Sequence, residues 1–251
     1  MPYVAIVVVA VSAANYYALS PDRARSDEMW LILGLSYLAL TLLALVRLAR
    51  RPILATPEII GVDPAGDSAT EGDEDKDNDR SASASSSELR MLLQLRGGDL
   101  SVGMLTALVL VGAAFVARSS SDESSPLLAW LFQLYLRTGD LLANSPWLCA
   151  LIVIAVLEEI VWRGLVQSEL ERLVGGRWSW PLSAVCYAIA MLPTAWQLAD
   201  PGVGLNPLLP VTALGCGIFW GFMTAHFRRL LPAIVSHATF SYFAASMVLS
   251  F

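Results

Sequence analysis

The sequence predicts an all-α protein, a polytopic transmembrane helix bundle of about seven or eight spans with one long disordered acidic loop. Three observations predict it. Hydrophobic residues make up 56% of the 251 positions and charged residues only 15%, where soluble chains carry about 25% charged. The apolar residues gather in runs close to the roughly 20 residues that a spanning helix needs. One polar stretch interrupts them, and it is too poor in large side chains to fold by burying them.

The runs cover 3–19, 29–48, 101–117, 147–163, 181–199, 207–225 and 231–250. The first lacks a basic flank before it, and the SAA at 12–14 is a weak cleavage signal, so it reads as a retained helix. A further run, 126–143, contains Arg137 and Asp140. By composition it could span, lie in the interface or re-enter.

Residues 61–90 hold nine acids and three bases, which equals the whole net charge of -6. The segment is rich in Asp, Glu, Ser, Gly and Ala and cannot offset the entropy of ordering, so disorder is expected there. It divides the chain into two N-terminal helices (1–50), an acidic loop (51–96) and a C-terminal bundle (97–251). The remainder is neutral, and no basic surface exists to hold nucleic acid. Arginines near the span ends set orientation. Arg47, Arg50, Arg51, Arg90 and Arg96 flank the long loop, Arg172 and Arg177 follow the 147–163 run, and Arg228 and Arg229 precede the last one. With seven crossings these groups share one face, expected to be cytoplasmic. With eight they do not, so the bias favours 126–143 not crossing fully. The excess of Arg over Lys and the Ala and Leu bias suggest a GC-rich bacterial genome, and the expected location is then the bacterial cytoplasmic (inner) membrane. Cys149, Cys186 and Cys216 lie within apolar runs without CxxC spacing, and they read as small core residues.

Chemistry concentrates in LEEIVWRG, 157–164. Glu158 and Glu159 close an otherwise apolar run. An ionisable group at that depth costs roughly 2.5–3.5 kcal/mol even on a permissive insertion scale, so such groups are candidates for function. The helix is expected from Pro146 to Val174, about 43 Å long with Glu158 about 18 Å along it, and Gly175-Gly176 as its C-terminal stop. Glu159 and Arg163 are i,i+4 and can pair on one face. Glu158, rotated by about 100°, can aim into a cavity, the placement a general base requires. His237 lies inside the last apolar run, and the glutamate pair is its most economical partner. Ser241 is one turn on and shares its face. His226, beside Arg228, reads as interfacial.

These residues resemble the CPBP family of glutamic-type intramembrane proteases (CAAX prenyl proteases and bacteriocin-processing proteins, also called ABI). EEIVWR (158–163) is similar to the family's EExxxR motif, Gly164 follows as is usual there, and HATFS (237–241) sits where its HxxxN-type motif belongs. The resemblance covers about 145–250 and departs at two places. The second motif, FxxxH, falls on Tyr187 to Met191, with Met191 in place of the histidine, and the third ends in Ser241 rather than Asn.

The resemblance implies a bundle of roughly eight helices and an intramembrane endopeptidase. Glu158 would deprotonate water. Glu159 and Arg163 would fix the helix and balance charge, and His237 would polarise the scissile carbonyl or protonate the leaving amine, oriented by Ser241. Arg163, Tyr187 and Met191 would contact substrate. Substrates would be C-terminal or leader segments of membrane-associated or exported proteins. No cofactor is expected, since one histidine and two glutamates are a thin donor set for catalytic zinc. Met191 favours a second reading, a catalytically impaired homologue that binds such tails as a scaffold or immunity-like protein. A third, a small ion-coupled transporter using the glutamate pair, is weakened by the absence of internal repeats.

Overall fold

The computed structural model describes residues 2–50, 91–122 and 124–248. The expected acidic loop, with Arg51 and Arg90, lies almost wholly outside the described residues. Among them the secondary structure is helical. The elements are α1 (Pro2–Ala18), α2 (Asp27–Ala49), α3 (Asp99–Ser119), α4 (Pro126–Thr138), α5 (Ser145–Glu159), a π-helical segment (Ile160–Val166), α6 (Gln167–Val174), α7 (Gly176–Gln197), α8 (Leu208–Phe227) and α9 (Leu231–Val248).

Helix ends follow local chemistry. The Ser26 and Asn144 side chains accept from backbone amides in the first turns of α2 and α5, and Pro146 sits where its missing N–H costs nothing. Gly175 ends α6 at φ +81°, a conformation that favours glycine. It lets α7 start one residue later.

Two polar rims bound the bundle. At one, Arg47 pairs with Glu169, Arg228 with Glu171 and Arg229 with Asp99, while the Leu230 amide donates to the Leu92 carbonyl. These contacts gather the ends of α2, α6 and α8 and the starts of α3 and α9. At the other, the Trp147 indole donates to Asp27, Arg137 to the Gln197 carbonyl and the Arg25 amide to the Arg137 carbonyl. Gln133 donates to Asp200, and together with the Gly202 and Val203 amides it holds that carboxyl below the usual range. Between the rims the described chain makes seven passes: α1, α2, α3, the continuous α5–π–α6 rod, α7, α8 and α9.

Helix α4 stays at the second rim. Its 13 residues reach about 20 Å, short of a bilayer core of about 30 Å. A helix of this length is too short to cross, and Arg47, Arg228 and Arg229 share the first rim.

Three of the described helices, α2, α3 and α8, are long and apolar enough to cross a membrane by length and composition alone, against the seven or eight expected. The other passes are shorter or carry polar residues. Helix α1 has 17 residues, α5 has 15 before its geometry changes, and α7 contains Pro181 and Pro193. Outward faces are apolar, with Leu35, Leu42, Leu105, Leu108 and Val211 exposed. Such surface suits lipid. Cys149 is also exposed, which corrects its assignment to the core, because it sits on the outer face of α5.

Small residues allow the closest helix contacts. A Cβ on Gly103 of α3 would lie 2.8 Å from the Pro232 carbonyl oxygen and 2.8 Å from the Val235 Cβ of α9. Backbone on the far side cannot yield. Gly103→Ala is therefore expected to destabilise the bundle by about 1–3 kcal/mol, read as a lower midpoint in thermal unfolding. An unchanged midpoint would show that α3 and α9 are less tightly docked.

Candidate active site

The glutamate pair falls where the α-helix gives way to π geometry. Glu158 and Glu159 are the last residues of α5, and Arg163 lies in the π segment. Wider π turns are uncommon and often occur at functional positions. All three side chains are buried, Glu159 completely. Gly164 makes room at this level, where a Cβ would touch Leu48 and Leu230 side chains at 3.4 and 3.6 Å.

Glu159 Oε1 accepts from Arg163 Nη1 at 3.0 Å and lies 2.7 Å from His237 Nδ1. One carboxylate oxygen thus ties the π segment to α9. The Arg163 guanidinium lies 5.1 Å from the Tyr187 ring centre and 5.2 Å from that of Trp220, so aromatic faces share its charge. Trp220 also stacks on His237, with ring centres 3.9 Å apart, and its indole N–H donates to Ser236. The imidazole is held on its edge by Glu159 and on its face by Trp220.

Glu158 has a different setting. Its Oε2 accepts from the Tyr187 hydroxyl at 3.1 Å and lies 3.5 Å from His237 Nε2. Glu158, Tyr187 and His237 line a cavity of about 240 Å³, together with Asn15, Tyr37 and Met191, while Glu159 and Arg163 stand behind its wall. Two adjacent acids therefore do separate jobs. Glu159 is consumed by structural partners, and Glu158 faces open space beside the imidazole. The cavity is mostly apolar, with a few polar groups converging on it.

Ser241 lines the same cavity, one turn beyond His237. The expectation that it orients the imidazole does not match the geometry, because Nδ1 is taken by Glu159 and Nε2 faces Glu158. His226 is exposed at the end of α8 and stacks near Phe222 and Phe227, away from the site. Among the described residues no group of three or more His, Cys, Asp or Glu side chains is placed to hold a metal ion.

Four wall residues were not singled out from sequence: Asn15 on α1, Tyr37 on α2, and Cys216 and Trp220 on α8. The signal for Asn15 was present, a carboxamide inside an otherwise apolar run. Tyr37, Cys216 and Trp220 resemble ordinary apolar filling until the helices are placed.

With this geometry in view, the comparisons become specific. A family model described as Rce1-like, type II CAAX prenyl endopeptidase, matches residues 140–243. That stretch is Rce1-like. It is consistent with CPBP membership and contains Glu158, Glu159, Arg163, Tyr187, Met191, His237 and Ser241. The Rce1-like match and the apolar helices support a membrane-embedded peptidase, a hydrolase of the CAAX-protease kind. Asn15 and Tyr37 lie outside the Rce1-like stretch. No curated protein and no solved structure matches the chain.

Proposed function

We propose that the protein is a glutamic-type intramembrane endopeptidase that cleaves the C-terminal or leader segment of a membrane-associated or exported protein without a cofactor. The observation that carries this reading is the meeting of Glu158 and His237 on one cavity wall, with Glu159 holding the far side of the imidazole.

In this mechanism a water molecule binds between Glu158 and the substrate. The Glu158 carboxylate takes a proton from it as the water oxygen bonds to the scissile carbonyl carbon. The proton then passes to the departing amine nitrogen and the C–N bond breaks. With Nδ1–H donated to Glu159, His237 presents Nε2 to Glu158 and the reacting atoms, where it can receive and return that proton. A carboxylate behind an imidazole fixes its tautomer and orientation, as in hydrolytic triads. Tyr187 holds the Glu158 carboxylate in place. The basic rim faces the cytoplasm in this reading, within a bacterial inner membrane.

A test uses purified protein in lipid vesicles and a fluorogenic prenylated CAAX-type peptide. Wild type is expected to cleave it, and His237→Ala to lower kcat by about 10²–10⁴-fold. Met191 favours a second reading, a tail-binding homologue without turnover. Binding without cleavage by the wild type, together with activity gained in Met191→His, would establish that one instead.

A further inference from the structure

The first helix contributes a polar side chain to this cavity. Asn15 is buried on α1, in a run that is otherwise mostly apolar. Among the described residues it is the sole carboxamide on the cavity wall. Burying an amide is costly unless its donors and acceptors are satisfied. Asn15 Nδ2 donates to the Ala190 carbonyl oxygen at 3.3 Å and to Met191 Sδ at 3.3 Å. The carbonyl can only accept, so it fixes the nitrogen end of the amide toward α7.

The two bonds are unequal. A backbone carbonyl is a strong acceptor and a thioether a weak one. One N–H is thus anchored and the other rests on a partner it can leave cheaply. Two other donors on this wall, the Tyr37 hydroxyl and the Trp30 indole, have no hydrogen bond among the described residues, whereas three beside the base are engaged. The Tyr187 hydroxyl is on Glu158, the Trp220 indole is on Ser236, and His237 bridges the two glutamates.

Position completes the case. Met191 follows Tyr187 by four residues on α7, so the two share a face about one turn, roughly 5–6 Å, apart. Asn15, held on Met191, and Glu158, held by Tyr187, line the same cavity. A carbonyl group between them would offer its carbon to water on Glu158 and its oxygen to Asn15.

We propose that Asn15 is the oxyanion donor of this site: the N–H resting on Met191 turns onto the scissile carbonyl oxygen as negative charge develops there. Preset donors of this type act chiefly on the transition state. This inference rests on the endopeptidase reading above.

The test compares wild type, Glu158→Gln, Asn15→Leu, Asn15→Asp and Asn15→His as full chains in vesicles with the same fluorogenic peptide. Leu and Asp preserve size but remove the donor. Both are expected to lower kcat by about 10²–10³-fold with KM within about threefold of wild type, and His, which restores an N–H, to recover about tenfold. A loss confined to KM, unchanged kcat, or no recovery in Asn15→His would overturn the proposal. If wild type cleaves, Glu158→Gln does not, and the Asn15 variants keep wild-type kcat, the oxyanion role alone falls. If wild type does not cleave, the endopeptidase reading falls and this role with it.

Discussion

Glu158→Gln is expected to abolish peptide hydrolysis while leaving the fold intact. Glutamine has the shape of glutamate, and its amide oxygen can still accept from the Tyr187 hydroxyl that now lies 3.1 Å from Oε2. It cannot take a proton from water. General-base catalysis is worth about 10²–10⁴-fold, so kcat should fall by at least that range. Stability should not fall with it, because an amide is less costly to bury than a carboxylate. The measurements are turnover of the fluorogenic peptide and thermal unfolding of the same preparation. Loss of turnover together with a much lower midpoint would assign Glu158 a structural role. Glu158→Gln that abolishes proton flux across vesicles, in a protein without peptidase activity, would point to transport instead.

The sequence carried the motif side chains further than it carried their surroundings. The apolar runs placed most of the helices to within a few residues, because an apolar run near 20 residues has few alternatives in a membrane protein. The i,i+4 spacing of Glu159 and Arg163 fixed their pairing, and the structure has them 3.0 Å apart. Spacing also turned Glu158 away from Glu159, which is how the two acids divide. Distance in sequence hid the rest. The partner of Glu159 is 78 residues away on α9, and Asn15 reaches Met191 across 176 residues. No local pattern reports such contacts. The π segment was equally hidden, since IVWRGLV has ordinary helical composition. Ser241 was misread because helical spacing predicts a shared face, not whether the ring nitrogens are already occupied.

Separating Glu159 from Arg163 is expected to have the largest effect on stability. Both side chains are at most 2% exposed, and each has a further polar atom, Glu159 Oε2 and Arg163 Nε, without a hydrogen bond among the described residues. Both atoms are buried away from the protein surface. Glu159→Met leaves the guanidinium buried without its counter-charge, and Arg163→Met leaves the carboxylate with only His237. Breaking such a pair costs about 3–5 kcal/mol, and at about 2–4 °C per kcal/mol for a chain of this size each variant should unfold roughly 10 °C lower. The double variant Glu159→Met/Arg163→Met removes both charges and should regain most of the loss, since buried pairs are often replaceable by apolar residues of similar size. Turnover should not return with stability, because His237 Nδ1 then has no carboxylate to fix its tautomer. A stable double variant that cleaves at the wild-type rate would mean that Glu159 merely neutralises Arg163, and that His237 needs no partner behind it.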